Sequence, residues 1–335
     1  MKYILSLVFV FIFLLKGMGQ GTLPETFFDG KSIVMVSNDP GARPAMEWKA
    51  LADSVHSALV EAGGDPVGYF ELEQVAISDA VQADYANAFS SRLVKNIIFV
   101  TRQKNNTSIH VAPYTGNAQM IPSTSLFGIS GPDLQTAAKQ FASIRANTRS
   151  KNLLVIDVPE FPNIGQNETS SAQQFISENP LNLEVFKLGI PIEGSSAESG
   201  LLSYFRYDMY GKSQATILAE QEAQKSGIEQ ILKAEYPYAT EWLTEAKTDQ
   251  ELIRDRVQFL LVKVEAREAD MMKSMGLEVP PGDSTNRTVV KYYIKLIVRN
   301  ELYIGPEWDA DPDWQVALRN FLRNLKNKPP EEVYS

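Results

Sequence analysis

The chain has no cysteine and only two histidines in 335 residues. Without thiols there can be no disulfides, zinc ribbons, thiol catalysis or iron–sulfur clusters, and no lipid-modified N-terminal cysteine. His56 falls beside the apolar stripe of a helical pattern and His110 inside a strand pattern, so both read as structural rather than catalytic. No G-x-G-x-x-G, G-x-x-x-x-G-K-[ST], G-x-S-x-G or H-E-x-x-H is present, which removes the usual phosphate cradles, the serine nucleophile elbow and the common zinc-hydrolase helix. Cations are the minority charge. The formal net charge is −9, and loss of Lys2 and Lys16 with a leader would lower it by two more. That balance argues against nucleic acid or an anionic membrane as partner. Arg319, Arg323, Lys326 and Lys328 form the one basic cluster, toward the end of a predicted helix where cations complement the dipole.

Long apolar runs are also scarce, and the one that exists is terminal. Lys2, the run Ile4 to Leu15, and Gly17 and Gly19 before Gln20 have the order of a cleavable export signal, residues 1–19. As a helix the run reaches roughly 18 Å, short of a bilayer core of about 30 Å, so stable insertion of the mature chain is not expected. Export without disulfides fits a bacterial periplasm, with secretion as the alternative. The sequons at Asn105, Asn167 and Asn286 then read as chance matches. With 44% hydrophobic residues the chain can build one large core or two medium ones.

Residues 27–160 read as an α/β domain. Lys31 to Ser37 is a β-branched run followed by Asn38, Asp39, Pro40 and Gly41, then a helical pattern from Pro44 to Ala62 ended by Gly63 and Gly64. Val67 to Leu72 gives a second strand. A helix capped by Ser78 runs to Val94, and Asn96 to Arg102 gives a third strand. This βαβαβ order predicts parallel pairing. The polar turn at Lys104 to Asn106 then predicts a hairpin to Ser108–Pro113, Asp133 caps a further helix, and Asn152 to Val158 (NLLVIDV) reads as a strongly apolar strand. The expected class is α/β, a mixed, mostly parallel sheet with covering helices in a Rossmann-like or flavodoxin-like layer.

In such sheets ligands gather beyond the C-terminal strand ends. Those positions hold Asn38, Asp39 and Arg43, then Thr101 and Arg102, then Asp157 and Glu160, which together form a candidate polar ligand site.

Residues 161–211 read as a connection carrying an added strand at Leu183 to Ile192. Residues 212–335 read as a mainly helical module with a small β-hairpin. Its helices are predicted at Ser213 to Lys233 and, from a capping box at Thr248 and Glu251, on toward Met275. Met271, Met272 and Met275 near its end read as core filling. Thr288 to Val298 and Glu301 to Ile304 predict the hairpin, followed by a helix with Asp311 and Pro312 at its start. Asp309, Asp311 and Asp313 imitate the opening of a calcium loop, but the glycine is missing and Asn320 stands where a bidentate acid is needed. Tyr292, Tyr303, Trp308 and Trp314 are candidates for a partner-binding surface. No motif calls for a cofactor or a metal. The expectation is a non-enzymatic protein acting through a protein partner in the cell envelope. The alternatives are a small-molecule binding protein using the strand-end crevice, or a carboxylate-dependent or metal-dependent hydrolase.

Overall fold

A computed structural model describes residues 21–122, 126–144, 149–164, 174–178, 181–192, 214–244, 247–281, 287–299 and 301–326. The expected export signal at 1–19 lies outside them, as does most of the expected connection at 161–211. The chain is α/β, with two mixed sheets.

The first sheet comprises β1 (Lys31–Asn38), β2 (Asp65–Glu71), β3 (Val94–Gln103), β4 (Asn106–Pro113) and β5 (Phe127–Gly131), in the order β2-β1-β3-β4-β5. β1 runs parallel to both β2 and β3, while β3, β4 and β5 alternate antiparallel. β1 is apolar on both faces because both are covered, as a central parallel strand requires. One face places Val34, Val36, Ile98 and Val100 under α1 (Trp48–Glu61) and α4 (Leu134–Ala142). On the other face Ile33, Met35, Ile97 and Phe99 meet Tyr85 and Phe89 of α3 (Asp79–Ser91), which follows the single turn α2 (Leu72–Val75). The expected caps are in place, with Ser78 accepting the Val81 amide and Asp133 the Thr136 amide. Gly63, with φ of +99°, turns the chain out of α1, a conformation that disfavours a side chain.

α1 begins four residues later than the helical pattern suggested. Arg102 donates to the Pro44 carbonyl and Asn38 to the Met46 carbonyl, tying that stretch to the strand ends before the helix can start.

The second sheet comprises β6 (Gln174–Ile176), β7 (Lys187–Pro191), β8 (Thr240–Leu243), β9 (Val257–Arg267), β10 (Thr288–Leu296) and β11 (Glu301–Tyr303), ordered β6-β11-β10-β9-β7-β8. Its outer face packs on α5 (Gln214–Glu235) and α8 (Trp314–Lys326) through Ile228, Leu232, Leu318 and Phe321. The predicted hairpin is β10 and β11. The predicted long helix is not one element. The capping box at Thr248 and Glu251 starts only α6 (Asp249–Arg254), Arg256 takes a left-handed backbone with φ of 66°, and β9 follows before the short α7 (Glu268–Ser274). The run VQFLLVKV satisfies helical and strand spacing alike, because β9 buries side chains on both faces. Pairing with β10 over nine residue pairs decides for the strand. The C-terminal half is therefore built on a sheet rather than being mainly helical.

The two sheets share one core. Val264, Ala266, Val289, Tyr293 and Leu302 of the second sheet join Ile33, Met35, Phe70 and Phe99 of the first in a single buried cluster that also takes in Met271 and Met275. Each valine, leucine, isoleucine, phenylalanine or methionine among them contributes about 1.5–3 kcal/mol by burial.

A buried ion pair also lies in this region. β11 ends at Tyr303, so β10 loses its neighbour there, and residues 304–311 fill the gap, with Val290 and Asp311 exchanging backbone hydrogen bonds. Lys291, 1% exposed, donates to the Ile304 and Tyr292 carbonyls at 2.6 and 3.0 Å and to Asp309 at 2.5 Å, which uses all three of its donors. Asn324 donates to the other Asp309 oxygen. Asp309 is thus a buried counter-ion rather than a calcium ligand, and Asp313, not Asp311, takes the Gln315 amide at the start of α8. Removing one partner strands a buried charge. Asp309→Ala is expected to cost about 3–5 kcal/mol in urea unfolding, whereas replacing both residues by apolar ones, Lys291→Met with Asp309→Leu, is expected to cost much less.

Candidate functional site

The C-terminal ends of β1, β2 and β3 lie side by side, as the topology requires, but their side chains are occupied. Arg102 is buried and donates from Nη1 to Asn38 Oδ1 at 3.0 Å and from Nη2 to the Pro44 carbonyl at 2.7 Å. Asn38 in turn donates to Met46, and the Asp39 amide donates to the Arg102 carbonyl. Arg102 is a strut for the loop between β1 and α1. Asp39 accepts the Gly41 amide in its own turn, and Arg43 donates to Pro40 and Ala42 within the same loop. Thr101 is buried and hydrogen-bonded to Ser108 across the β3–β4 pair.

Asp157 and Glu160 make no side-chain contact with these groups among the described residues, although the Glu160 carbonyl accepts from Tyr69, two residues before the end of β2. The stretch 152–158 is not a strand. It runs along the outer flank of the first sheet, past the edge strand β2, and both acids are exposed. β2 is the edge strand, carries Pro66 and has an irregularity at Val67 in its ladder with β1, and among the described residues no strand pairs with its outer side. Particular contacts hold the segment instead. Ser150 Oγ donates to the Gly63 carbonyl, the Lys151 amide to Phe28, and the Tyr69 amide to the Glu160 carbonyl. His56 Nε2 lies 2.9 Å from the Ile156 carbonyl, which can only accept, so Nε2 carries the proton and Nδ1 accepts from the Tyr69 hydroxyl. His56 is a structural clasp.

His110 is likewise structural. Burial holds its pKa down to about 4, so the ring stays neutral near pH 7, and a Cβ at Gly128 would lie 2.5 Å from it. The aromatic surface expected in the C-terminal half is largely interior. Tyr292 and Tyr303 are fully buried in the second sheet's core, and Trp308 and Trp314 are half-buried, with the Trp308 indole donating to Glu268.

The strand ends also hold groups that the candidate set omitted. Glu71 closes β2, and Arg267 at the end of β9 donates from Nε to both its oxygens at 2.8 and 2.9 Å and from Nη2 to Glu47. Ser37 donates to Glu73. Burial, reinforced by the neighbouring Glu73 charge and opposed by Arg267, pushes the Glu71 carboxyl up to about 7. Burial also raises Asp270. Two acids directly after the apolar run VGYF were the available signal. The cationic partner of Glu71 sits 196 residues away, in a segment whose pattern also reads as helix. Among the described residues no group of three or more histidines and acids could hold a metal ion, and no helix is long and apolar enough to cross a membrane.

The fold also leaves one apolar stretch exposed. Leu153, Leu154, Ile156 and Val158 are 83%, 94%, 46% and 64% exposed, in one short stretch on the flank of β2. Among the described residues the amides of 153–158 donate to no protein acceptor. Compared with protein-family models, with curated proteins and with solved structures, the chain matches none.

The strand-end cluster has a pH signature. Folded Glu71 keeps its proton to about pH 7, whereas the unfolded chain releases it near the ordinary 4.5. The folded state therefore binds more protons between these values, and this group's stabilisation is full below about 4.5 and lost as pH rises to 7, by roughly 3 kcal/mol at most. Urea unfolding at pH 5 and pH 8 is expected to show a smaller loss with rising pH in Glu71→Gln than in the unaltered chain.

Proposed function

We propose that this protein acts through protein contacts, with residues 149–160 as its docking strip, and that the leader at 1–19 delivers it to the periplasm, where it serves the cell envelope without catalysing a reaction. The observation that carries this reading is the exposure of Leu153, Leu154, Ile156 and Val158 on the flank of β2. Scattered exposed apolar residues are ordinary, but a contiguous run of them with free amides marks an interaction surface. The Tyr292 and Tyr303 side chains expected to serve this role are spent on the core. A photo-crosslinking residue placed at Leu154 in living cells is expected to give a discrete crosslinked product, and one at exposed Lys104 none. Absence of a product at Leu154 would contradict the reading.

One observation favours a second reading, a small-molecule or carboxylate-chemistry site at the strand ends. Glu71 and Glu73 sit together there, and Glu71 can be protonated near neutrality. Arg267 and Ser37 already engage both acids, which ranks this reading second. Thermal stabilisation by a sugar, nucleotide or divalent metal that disappears in Glu71→Gln would reverse the order.

A further inference from the structure

We infer that the occupant of the docking strip is a second copy of this chain, set antiparallel across a two-fold axis; this rests on the reading of residues 149–160 as a contact surface. The strip is asymmetric in charge. Exposed Arg149 and Lys151 precede its apolar centre, and exposed Asp157 and Glu160 follow it. Laid antiparallel on itself, the sequence RSKNLLVIDVPE brings the basic end of each copy to the acidic end of the other, with Leu153 of one copy facing Ile156 of the other and both Leu154 side chains next to the axis. A parallel arrangement would oppose like charges at both ends. A two-fold interface demands this kind of self-complementarity, in which one patch serves both sides.

The rest of the strip is compatible with such a contact. Lys151 pairs with Asp29 in the single chain, but both are largely exposed, and a solvent-exposed pair gives up little on rearrangement. Asp157 and Glu160 make no ion pair among the described residues, so their charges are available. The amides of 153–158 supply donors that a second copy's carbonyls can take. The anchors at Ser150, Ile156 and Glu160 hold the strip against the sheet before binding, which lowers the ordering cost of association. Pro159 ends the run and limits its growth into a longer ladder.

The test is sedimentation velocity of the chain as isolated from cells, over a wide concentration series. Three altered chains accompany it: Leu154→Asp, Arg149→Glu with Lys151→Glu, and Asp157→Lys with Glu160→Lys. Circular dichroism and thermal unfolding confirm that each is folded. The unaltered chain is expected to shift from one copy to two and stop there. Leu154→Asp is expected to stay single. Each charge variant is expected to stay single alone, and an equimolar mixture of the two to recover the two-copy species. A chain that remains single throughout, a two-copy species indifferent to Leu154→Asp, or growth past two copies without a plateau would overturn the inference. If the unaltered chain stays single while crosslinking at Leu154 captures a different protein, self-association fails and the contact strip survives. If crosslinking also fails, both fall together.

Discussion

The burial of one sheet against the other is the constraint on which the rest of this structure depends. Ile33, Met35 and Phe99 from the first sheet and Val264, Ala266 and Val289 from the second belong to one cluster, so neither sheet has a complete core without the other. A cysteine-free chain has no covalent alternative, and its stability must come from such packing. The polar groups at the seam follow from the same constraint. The end of β9 meets the end of β2, and Arg267 there engages Glu71 and offsets part of the burial that holds this carboxyl up to about 7.

That packing also decides what the strand ends can do. In an open α/β sheet they are the usual place for a ligand. Here Arg102 and Asn38 brace the loop after β1, Thr101 bonds to Ser108, and Arg267 engages Glu71. Among the described residues, exposed apolar side chains are most concentrated on the flank of the edge strand β2, at Leu153, Leu154, Ile156 and Val158.

Strands β1 to β4 were legible because their signals are local, whereas β5, with two glycines in five residues, was not read as a strand. KSIVMVS is followed at once by turn residues, Ser78 and Asp133 stand where caps belong, and a short polar turn separates β3 from β4. β9 was not, because a strand buried on both faces loses the alternation that identifies strands, and its decisive partner β10 lies beyond two further proline and glycine breaks. NLLVIDV misled in the opposite sense. Its composition calls for a buried strand, while among the described residues no strand pairs with the outer side of the neighbouring edge, which carries Pro66 and an irregular register. At the candidate site, pattern reading found the residues that brace the crevice but not Glu71 with Arg267, a pair that only the meeting of the two sheets creates.

Native-state hydrogen exchange followed by mass spectrometry under increasing denaturant tests the shared core most directly. If the two sheets depend on each other, the slowest amides of residues 31–38 and 94–103 will share one opening free energy with those of 257–267 and 288–296, and both sets will be released together. Release of the second set at clearly lower denaturant, with the first still protected, would show two independent cores and contradict the account.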